Sequence, residues 1–288
     1  MVRAVGGFFF VATGAESYRC VLKGTLKKRQ EVLVGDQVVF QPTAPGEGLI
    51  VGVAPRTVRL VRPPVANVDK ALVVFAVESP PPSLPLVDRI LVQVEAAGVR
   101  PVVCLNKVDL SSDPQQAAEL LEPYRLAGYA TYAVSSRAGL NLEELAGELA
   151  GAVSVLAGPS GVGKSSLINA LVPGLNLATG AVSERTWRGR HTTRQVELLP
   201  LPQGGWVADT PGFSSLELPA VEPEELIGLF PELAAAAPLC RFPGCRHETE
   251  PGCAVRAAVA AGKVASGRWS SYREMVRELR ERRRKNRW

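Results

Sequence analysis

The apolar positions of this chain follow two different rules, and the change falls near residue 63. Over residues 1–62 the apolar stretches are short and β-rich: Gly7–Ala12, Ser17–Leu22, Gln37–Phe40 and Leu49–Val53, with Gly35-Asp36 and Pro45–Gly48 as turns. Such spacing predicts an all-β unit, a small barrel for which the oligonucleotide-binding (OB) type is one candidate. Arg56, Arg59 and Arg62 then lead through Pro63-Pro64, which reads as a linker. From Val65 strands and helices alternate. Ala71–Val77 is apolar at every position, as in a parallel strand buried on both faces. Leu86–Glu95 has helical spacing and stops at Gly98. The strand Pro101–Leu105, a helix over 115–127, the strand Thr131–Val134, a helix opening at Leu140–Leu145 and the strand Ala152–Ala157 follow. This alternation predicts a parallel sheet covered by helices on both sides. Towards the end, Val255–Lys263 and Trp269–Arg287 read as helices. Three units are therefore expected: a barrel over 1–62, an α/β domain over 63–218 and a small helical domain over 219–288.

Composition changes this picture little. The net charge of +5 and pI of about 9.1 carry weight for nucleic-acid binding only where the charge is clustered. No apolar run is long enough to span a bilayer, and the N-terminus lacks the layout of a signal peptide, so a cytoplasmic protein with no membrane partner is expected. Of five cysteines, Cys20 and Cys104 sit alone in apolar strands, as small core residues do. The other three crowd into residues 240–253. In a reducing compartment a clustered trio argues for a metal rather than disulfides.

The chemistry centres on Gly158-Pro159-Ser160-Gly161-Val162-Gly163-Lys164-Ser165, which satisfies every fixed position of the P-loop G-x-x-x-x-G-K-S/T. A strand precedes it and a helix opening at Ser166 follows, the setting in which backbone N–H groups and a helix N-terminus converge on phosphate. Lys164 is expected to reach the β- and γ-phosphates and Ser165 to ligate Mg²⁺. Asn106-Lys107-Val108-Asp109 ends a strand and matches N-K-x-D, the guanine-reading motif. A carboxylate such as that of Asp109 accepts from the N1–H and 2-amino donors of guanine, and adenine offers no such pair. The wrong base leaves that carboxylate unpaired, so discrimination is strong. Asn106 is expected either to contact the base or to brace the loop, with the Lys107 stem over the ring. Ser135-Ser136-Arg137 resembles the supporting S-A-K/R element, with Ser136 in place of alanine.

Downstream, Trp206–Asp209 is a strand ending in D-x-x-G. Asp209 is expected to hold Mg²⁺, commonly through water, and the Gly212 N–H to meet the γ-phosphate. Between P-loop and D-x-x-G lies Arg188-Gly189-Arg190-His191-Thr192-Thr193-Arg194. A threonine here completes the Mg²⁺ shell; Thr193 is favoured, with Thr192 the alternative. Phe213 stands where a glutamine would orient the attacking water, so slow intrinsic turnover is expected. His191 is the nearest substitute, although a plain surface role is equally open. The motifs thus run guanine loop, P-loop, switches, the reverse of an ordinary GTPase. A sheet tolerates such a circular permutation when the old termini lie close together.

Cys240-x4-Cys245-x-His247-x5-Cys253 supplies four ligands for a closed tetrahedral Zn²⁺ site, structural rather than catalytic. The tail Arg277–Trp288 is densely basic, and Trp269, Tyr272 and Trp288 add aromatics. That mixture favours RNA contact over a merely solvated face. The basic stretch Lys23–Arg29 in the barrel could meet phosphate or simply be solvated.

Taken together, N-K-V-D, G-P-S-G-V-G-K-S-S, G-R-H-T-T, D-T-P-G-F-S and C-x4-C-x-H-x5-C, in that order behind an OB-like barrel, resemble the circularly permuted, ribosome small-subunit-dependent GTPases of the RsgA (YjeQ) family. The resemblance implies a late maturation factor of the small ribosomal subunit. It would be a monomer that binds ribosomal RNA, with GTP hydrolysis to GDP stimulated by that subunit, and with Mg²⁺ and one structural Zn²⁺. By position it assigns guanine binding to Asn106, Lys107 and Asp109, phosphate binding to Gly158–Ser166, and zinc to Cys240, Cys245, His247 and Cys253. Arg194 stands where relatives often carry a third threonine. A competing expectation is a nucleotide-gated RNA-binding module whose hydrolysis is incidental, and a P-loop ATPase is a distant third.

Overall fold

The computed structural model describes residues 1–14, 16–27, 30–61, 63–175, 177, 196–209 and 217–285, with only the backbone described at Asp209. The N-terminal unit contains β1 (Arg3–Val5), β2 (Phe8–Thr13), β3 (Glu16–Leu22), the helical turn α1 (Gly24–Lys27), β4 (Val38–Ala44) and β5 (Glu47–Val53). Its strands run in the order β4-β5-β3-β2-β1, with β3 and β5 parallel. This is the partly open barrel expected of an OB-like unit. Buried Val11, Cys20 and Ile50 form its small core.

Several details differ from the sequence expectation. An additional strand, β1, precedes the first expected one, because Gly6 and Gly7 turn the chain straight back. The stretch expected as a basic loop opens with α1, and Lys28 and Arg29 lie outside the described residues. The turn at Pro45–Gly48 contracts to Pro45-Gly46, since Glu47 and Gly48 already pair in β5. The expected linker after Arg56 is packed: Leu60, Val65, Ala66 and Val68 are buried, and Arg56 meets the buried Asp36 carboxylate at 2.7 Å. Burial of those apolar residues stabilises the packed arrangement, and the prolines, with φ already fixed, lose little freedom in joining it.

The α/β domain contains β6 (Lys70–Ala76), α2 (Leu84–Ala96), β7 (Arg100–Asn106), α3 (Gln116–Leu126), β8 (Ala130–Ala133), α4 (Leu142–Leu149), β9 (Val153–Ala157), α5 (Lys164–Leu171), β10 (Glu197–Pro200) and β11 (Trp206–Asp209). β10 was not expected from the sequence; the other boundaries lie within a few residues of those expected. The sheet order is β10-β11-β9-β6-β7-β8, parallel except for the antiparallel β10–β11 pair. Alternate residues of the continuously apolar β6 face opposite layers. Val73 and Phe75 pack with Leu91 of α2 and Tyr124 of α3. Leu72 and Val74 pack with Leu145 of α4 and Leu167 of α5. The permuted joint between α4 and β9 is stapled from both sides. Glu148 accepts from Lys70 Nζ at 2.8 Å and from the Tyr132 hydroxyl at 3.1 Å, and Asp69 accepts the Val153 N–H at 2.8 Å.

The C-terminal domain is helical, with α6 (Pro231–Ala236), α7 (Ala254–Ala260) and α8 (Ser266–Lys285) around a core of Leu226, Phe230, Leu233, Val255, Tyr272 and Met275. That core also takes in Val92 of α2, so this domain sits on the outer face of the α/β domain. All three units are joined by packed contacts, and β1 pairs with β10 to make one eleven-stranded sheet.

Candidate nucleotide site and zinc centre

The parallel strands deliver their C-terminal ends to one edge, where open α/β sheets bind ligands. β9 ends at Ala157 and the P-loop begins. Gly158 has φ +141°, and a Cβ there would lie 2.0 Å from the Val74 carbonyl oxygen, so only glycine lets the loop leave the strand beside β6. Gly163 has φ +94° and caps α5. A Cβ at Gly163 would stand 2.5 Å from Asn106 Nδ2, which leads to the organising contact of the site.

Asn106 ends β7 and is fully buried. Its Nδ2 donates to the Val162 carbonyl at 2.9 Å and to Ser136 Oγ at 3.3 Å, while its Oδ1 accepts the Ser136 N–H at 3.1 Å. One side chain therefore joins three loops: guanine motif, P-loop and Ser135-Ser136-Arg137. Of the two roles open to Asn106 in the sequence, the geometry is that of a brace. Lys107 takes a left-handed backbone (φ 63°) and sends Nζ to the Gly161 carbonyl at 2.7 Å and to the Ser79 carbonyl. Asp109 stays exposed, and its Oδ1 accepts a 2.5 Å hydrogen bond from the buried Ser135 hydroxyl. That oxygen is oriented while the carboxylate still faces the cleft. Val108 continues the same loop as the start of a 3₁₀ turn.

A cleft of about 570 Å³ opens between these loops, lined among others by Lys107, Asp109, Ser136, Gly163, Ser166 and Asn169. The volume suits a nucleoside and part of its phosphates. Lys164 folds over the P-loop, donating to the Gly158 and Pro159 carbonyls at 2.8 and 2.6 Å. Burial holds its ammonium below the ordinary lysine value, which favours taking an anion as partner. Pro159 and Ser160 form the outer bend of the loop, and Ser165 and Ser166 stand half-buried in the first turn of α5. Asp209 closes β11; Thr193, His191 and Gly212 lie outside the described residues.

The four expected metal ligands come together in the C-terminal domain, with ligand atoms all within 4.8 Å of one another. His247 Nδ1 lies 3.5 Å from both Cys240 Sγ and Cys253 Sγ, and those sulfurs are 4.0 Å apart. Zn–S bonds of about 2.3 Å and Zn–N bonds of about 2.0–2.1 Å at a tetrahedral angle place sulfurs about 3.8 Å apart and sulfur and nitrogen about 3.6 Å apart. The residues fit that ion. Burial keeps the His247 imidazole below its ordinary value, hence neutral, as ligation requires. Trp269 Nε1 donates to the His247 carbonyl at 3.0 Å and holds its left-handed turn. Glu250 ties the knuckle: its carboxylate accepts from the Arg246, Glu248 and Thr249 N–H groups at 2.9–3.0 Å.

Residues 53–219 match the RsgA GTPase family and residues 1–50 match the RsgA N-terminal domain. The chain belongs to the RsgA GTPase family. Proteins named small ribosomal subunit biogenesis GTPase RsgA from Moorella thermoacetica and Geobacillus kaustophilus are 47% and 45% identical to it. The first alignment covers 97% of this chain and 96% of the relative, the second 98% and 97%. Among solved structures, YloQ, described as a circularly permuted GTPase, superposes with TM-score 0.81 at 38% identity, covering 98% of this chain and 94% of its own. YjeQ from Thermotoga maritima superposes with TM-score 0.84 at 37% identity, covering 96% of each. The family relation establishes a permuted GTPase with an OB-like N-terminal domain, and a Cys₃His cluster stands in its C-terminal region.

Within this RsgA chain, sequence reasoning missed the group that docks the C-terminal domain. Arg268 of α8 is 1% exposed. It makes two parallel bonds to Glu232 at 2.7 and 3.0 Å and a third to Asp88 of α2 at 3.0 Å, and its guanidinium lies 4.7 Å from the Phe230 ring centre. Arg89 adds a paired contact to Glu278 at 2.6 and 3.1 Å. The basic tail is likewise partly engaged within the molecule. Arg280 meets Glu248 at 2.7 Å, and Arg283 meets Glu222 at 3.2 Å. The sequence signal was an arginine and a serine, Arg268 and Ser271, in the stripe that continues through Tyr272, Met275, Val276 and Leu279 of α8, and such an arginine names no partner.

Proposed function

We propose that this protein hydrolyses GTP to GDP and phosphate as a maturation factor of the small ribosomal subunit, contacting rRNA and being stimulated by that subunit. The observation that carries the nucleotide reading is Asn106 joining the guanine loop to the P-loop around a cleft that the Asp109 carboxylate faces. In this reading Asp109, oriented by Ser135, accepts from the guanine edge. Lys107 covers the base, with Val108 and Ser136 shaping the loop around it. The N–H groups of Gly158–Ser166 surround the phosphates, and Lys164 exchanges its carbonyl partners for β- and γ-phosphate oxygens. Ser165, Thr193 and Asp209 hold Mg²⁺, which supplies charge neutralisation at those oxygens, and the Gly212 N–H meets the γ-phosphate. Thr192 remains the alternative to Thr193. His191 is assigned to positioning water, because Phe213 has no group able to do so. Cys240, Cys245, His247 and Cys253 hold one structural Zn²⁺.

The functional units of this reading are 1–62, 63–218 and 219–288, in a cytoplasmic monomer with no membrane partner. Among the described residues no helix is long and apolar enough to cross a membrane. The test is kcat with and without small subunits across a salt series. Strong stimulation that falls steeply with salt is expected, because phosphate contacts release counterions. Unchanged kcat with nucleotide-dependent subunit binding would favour a gated RNA-binding module instead, the reading that Phe213 supports. Competition by ATP equal to that by GTP would overturn the guanine assignment.

A further inference from the structure

The residues of α5 divide between two faces. Leu167, Ile168 and Leu171 are buried in the core shared with β6 and β9. Ser166, Asn169 and Ala170, spaced three and four apart, line the nucleotide cleft instead. Beyond the helix the chain turns back. Val172-Pro173-Gly174-Leu175 has the sequence of a type II turn, with proline and then glycine at its centre. Gly174 has φ +81°, and the Leu175 N–H donates to the Val172 carbonyl at 3.3 Å. Asn169 then holds the returning chain. Its Nδ2 donates to the Leu177 carbonyl at 3.0 Å, and its Oδ1 accepts the Leu177 N–H at 2.8 Å. One side-chain amide thus satisfies both backbone groups of Leu177, as a neighbouring strand would. Between the turn and this clamp stands Leu175, which packs on the core under α5 and also lines the cleft.

A purine offers an edge and two faces. In the proposed function Asp109 takes the edge and the Lys107 stem takes one face. The second face stays wet unless an apolar group meets it, and water reaching the edge competes with the carboxylate for its partners. Among the described residues lining the cleft, the large apolar side chains are Leu110 and Leu175. Leu110 follows Asp109 on the same loop as Lys107 and is 41% exposed. Leu175 enters from the α5 side and is seated on the core. We propose that Leu175 is the wall covering the second face of the base, and that Asn169 is the positioning residue that sets it there. This assignment rests on the guanine reading of the cleft.

The test is equilibrium binding of GDP, inosine diphosphate and inorganic triphosphate to the full chain. Leu175 meets a face rather than an edge. Leu175→Ala should therefore weaken GDP and inosine diphosphate alike, by about 10- to 100-fold, the range for apolar atoms removed from a binding pocket. Triphosphate should stay within about twofold, which also shows the variant to be folded. Leu175→Met keeps the apolar volume and should hold GDP within about threefold. Asn169→Ala should reproduce the loss of both nucleotides. The Asn169→Ala/Leu175→Ala double variant should bind GDP no more weakly than Leu175→Ala alone, because the amide acts through the leucine. Wild-type GDP affinity in Leu175→Ala, a parallel loss of triphosphate, or a larger loss in Leu110→Ala overturns the wall. Wild-type affinity in Asn169→Ala, or additive losses in the double variant, overturns the positioning role. Asp109→Ala separates the guanine reading: it should abolish the preference for GDP over inosine diphosphate, which lacks the 2-amino group, while Leu175→Ala preserves that preference. A preference unchanged in Asp109→Ala sinks the guanine reading and the wall with it. A preference lost there beside intact affinity in Leu175→Ala sinks the wall alone.

Discussion

Truncating Asn106 to alanine tests whether the cleft is preassembled by that one side chain. Its amide makes hydrogen bonds at 2.9, 3.1 and 3.3 Å from a fully buried position, to groups 30 and 56 residues away. Neutral hydrogen bonds contribute about 1 kcal/mol each, and a buried partner left unpaired costs about 1–3 kcal/mol. Asn106→Ala removes the bonds and strands the Val162 carbonyl and the Ser136 N–H, so about 3 kcal/mol of loop order is lost. If about two-thirds of that must be restored when nucleotide binds, affinity falls by about 1.5 decades at about 1.4 kcal/mol per decade. The assay is GDP binding by a fluorescent analogue, paired with binding of inorganic triphosphate. Asn106→Ala should weaken both ligands by about 10- to 100-fold, because it loosens the P-loop as well as the guanine loop. Asp109→Ala should weaken GDP and leave triphosphate binding within about twofold, because in the proposed reading Asp109 contacts the base and none of the phosphates. A folded Asn106→Ala protein with wild-type affinity for both would show the brace to be idle, as would selective loss of GDP alone.

Three further outcomes are expected. Arg268→Ala strands two buried carboxylates and should cost about 3–5 kcal/mol in urea denaturation. Asp88→Asn leaves the paired Arg268–Glu232 contact intact and should cost under about 1 kcal/mol, since burial already raises the Asp88 pKa and disfavours its charge; equal costs would refute this division. Burial acts to raise the Glu250 pKa, but the N–H groups of Glu250 itself, Arg246, Glu248 and Thr249 outweigh it and hold the carboxyl at about 2. A depressed carboxyl contributes stability that is complete above its unfolded value near 4.5 and is lost as pH falls through about 2. The stability gap between wild type and Glu250→Gln should therefore be constant above pH 4.5 and close towards pH 2; a gap independent of pH would remove the carboxylate from the account. Chelation of zinc should unfold the C-terminal domain, read as loss of helical circular dichroism from α7 and α8, while GDP affinity stays within about threefold; loss of GDP binding in parallel would mean that the two sites are not separable.

Much of the site was legible because its chemistry is local in sequence. The P-loop has glycine at three positive-φ positions and a lysine at the helix start, all within eight residues, so the motif and its geometry coincide. The Cys₃His spacing behaves the same way, because turns at Gly244 and Gly252 bring the ligands together over fourteen residues. The apolar run Ala71–Val77 announced a strand buried on both faces, and its alternate residues do face two layers. The packed segment after Arg56 was misread as a linker because Pro63-Pro64 signals extended chain whether or not that chain is buried.

Sequence alone thus determined most of the element order, the permuted arrangement of motifs and the four members of the Cys₃His cluster, since periodicity and short motifs are set by neighbours along the chain. Only the tertiary structure decided that Asn106 joins the guanine loop to Val162 and Ser136, that Arg268 meets Asp88 across 180 residues, and that Arg3, Glu197 and Asp209 fall in one row. Each of these is a pairing between distant segments. Its partner is selected by register and burial, and no local pattern of apolar and polar positions encodes either.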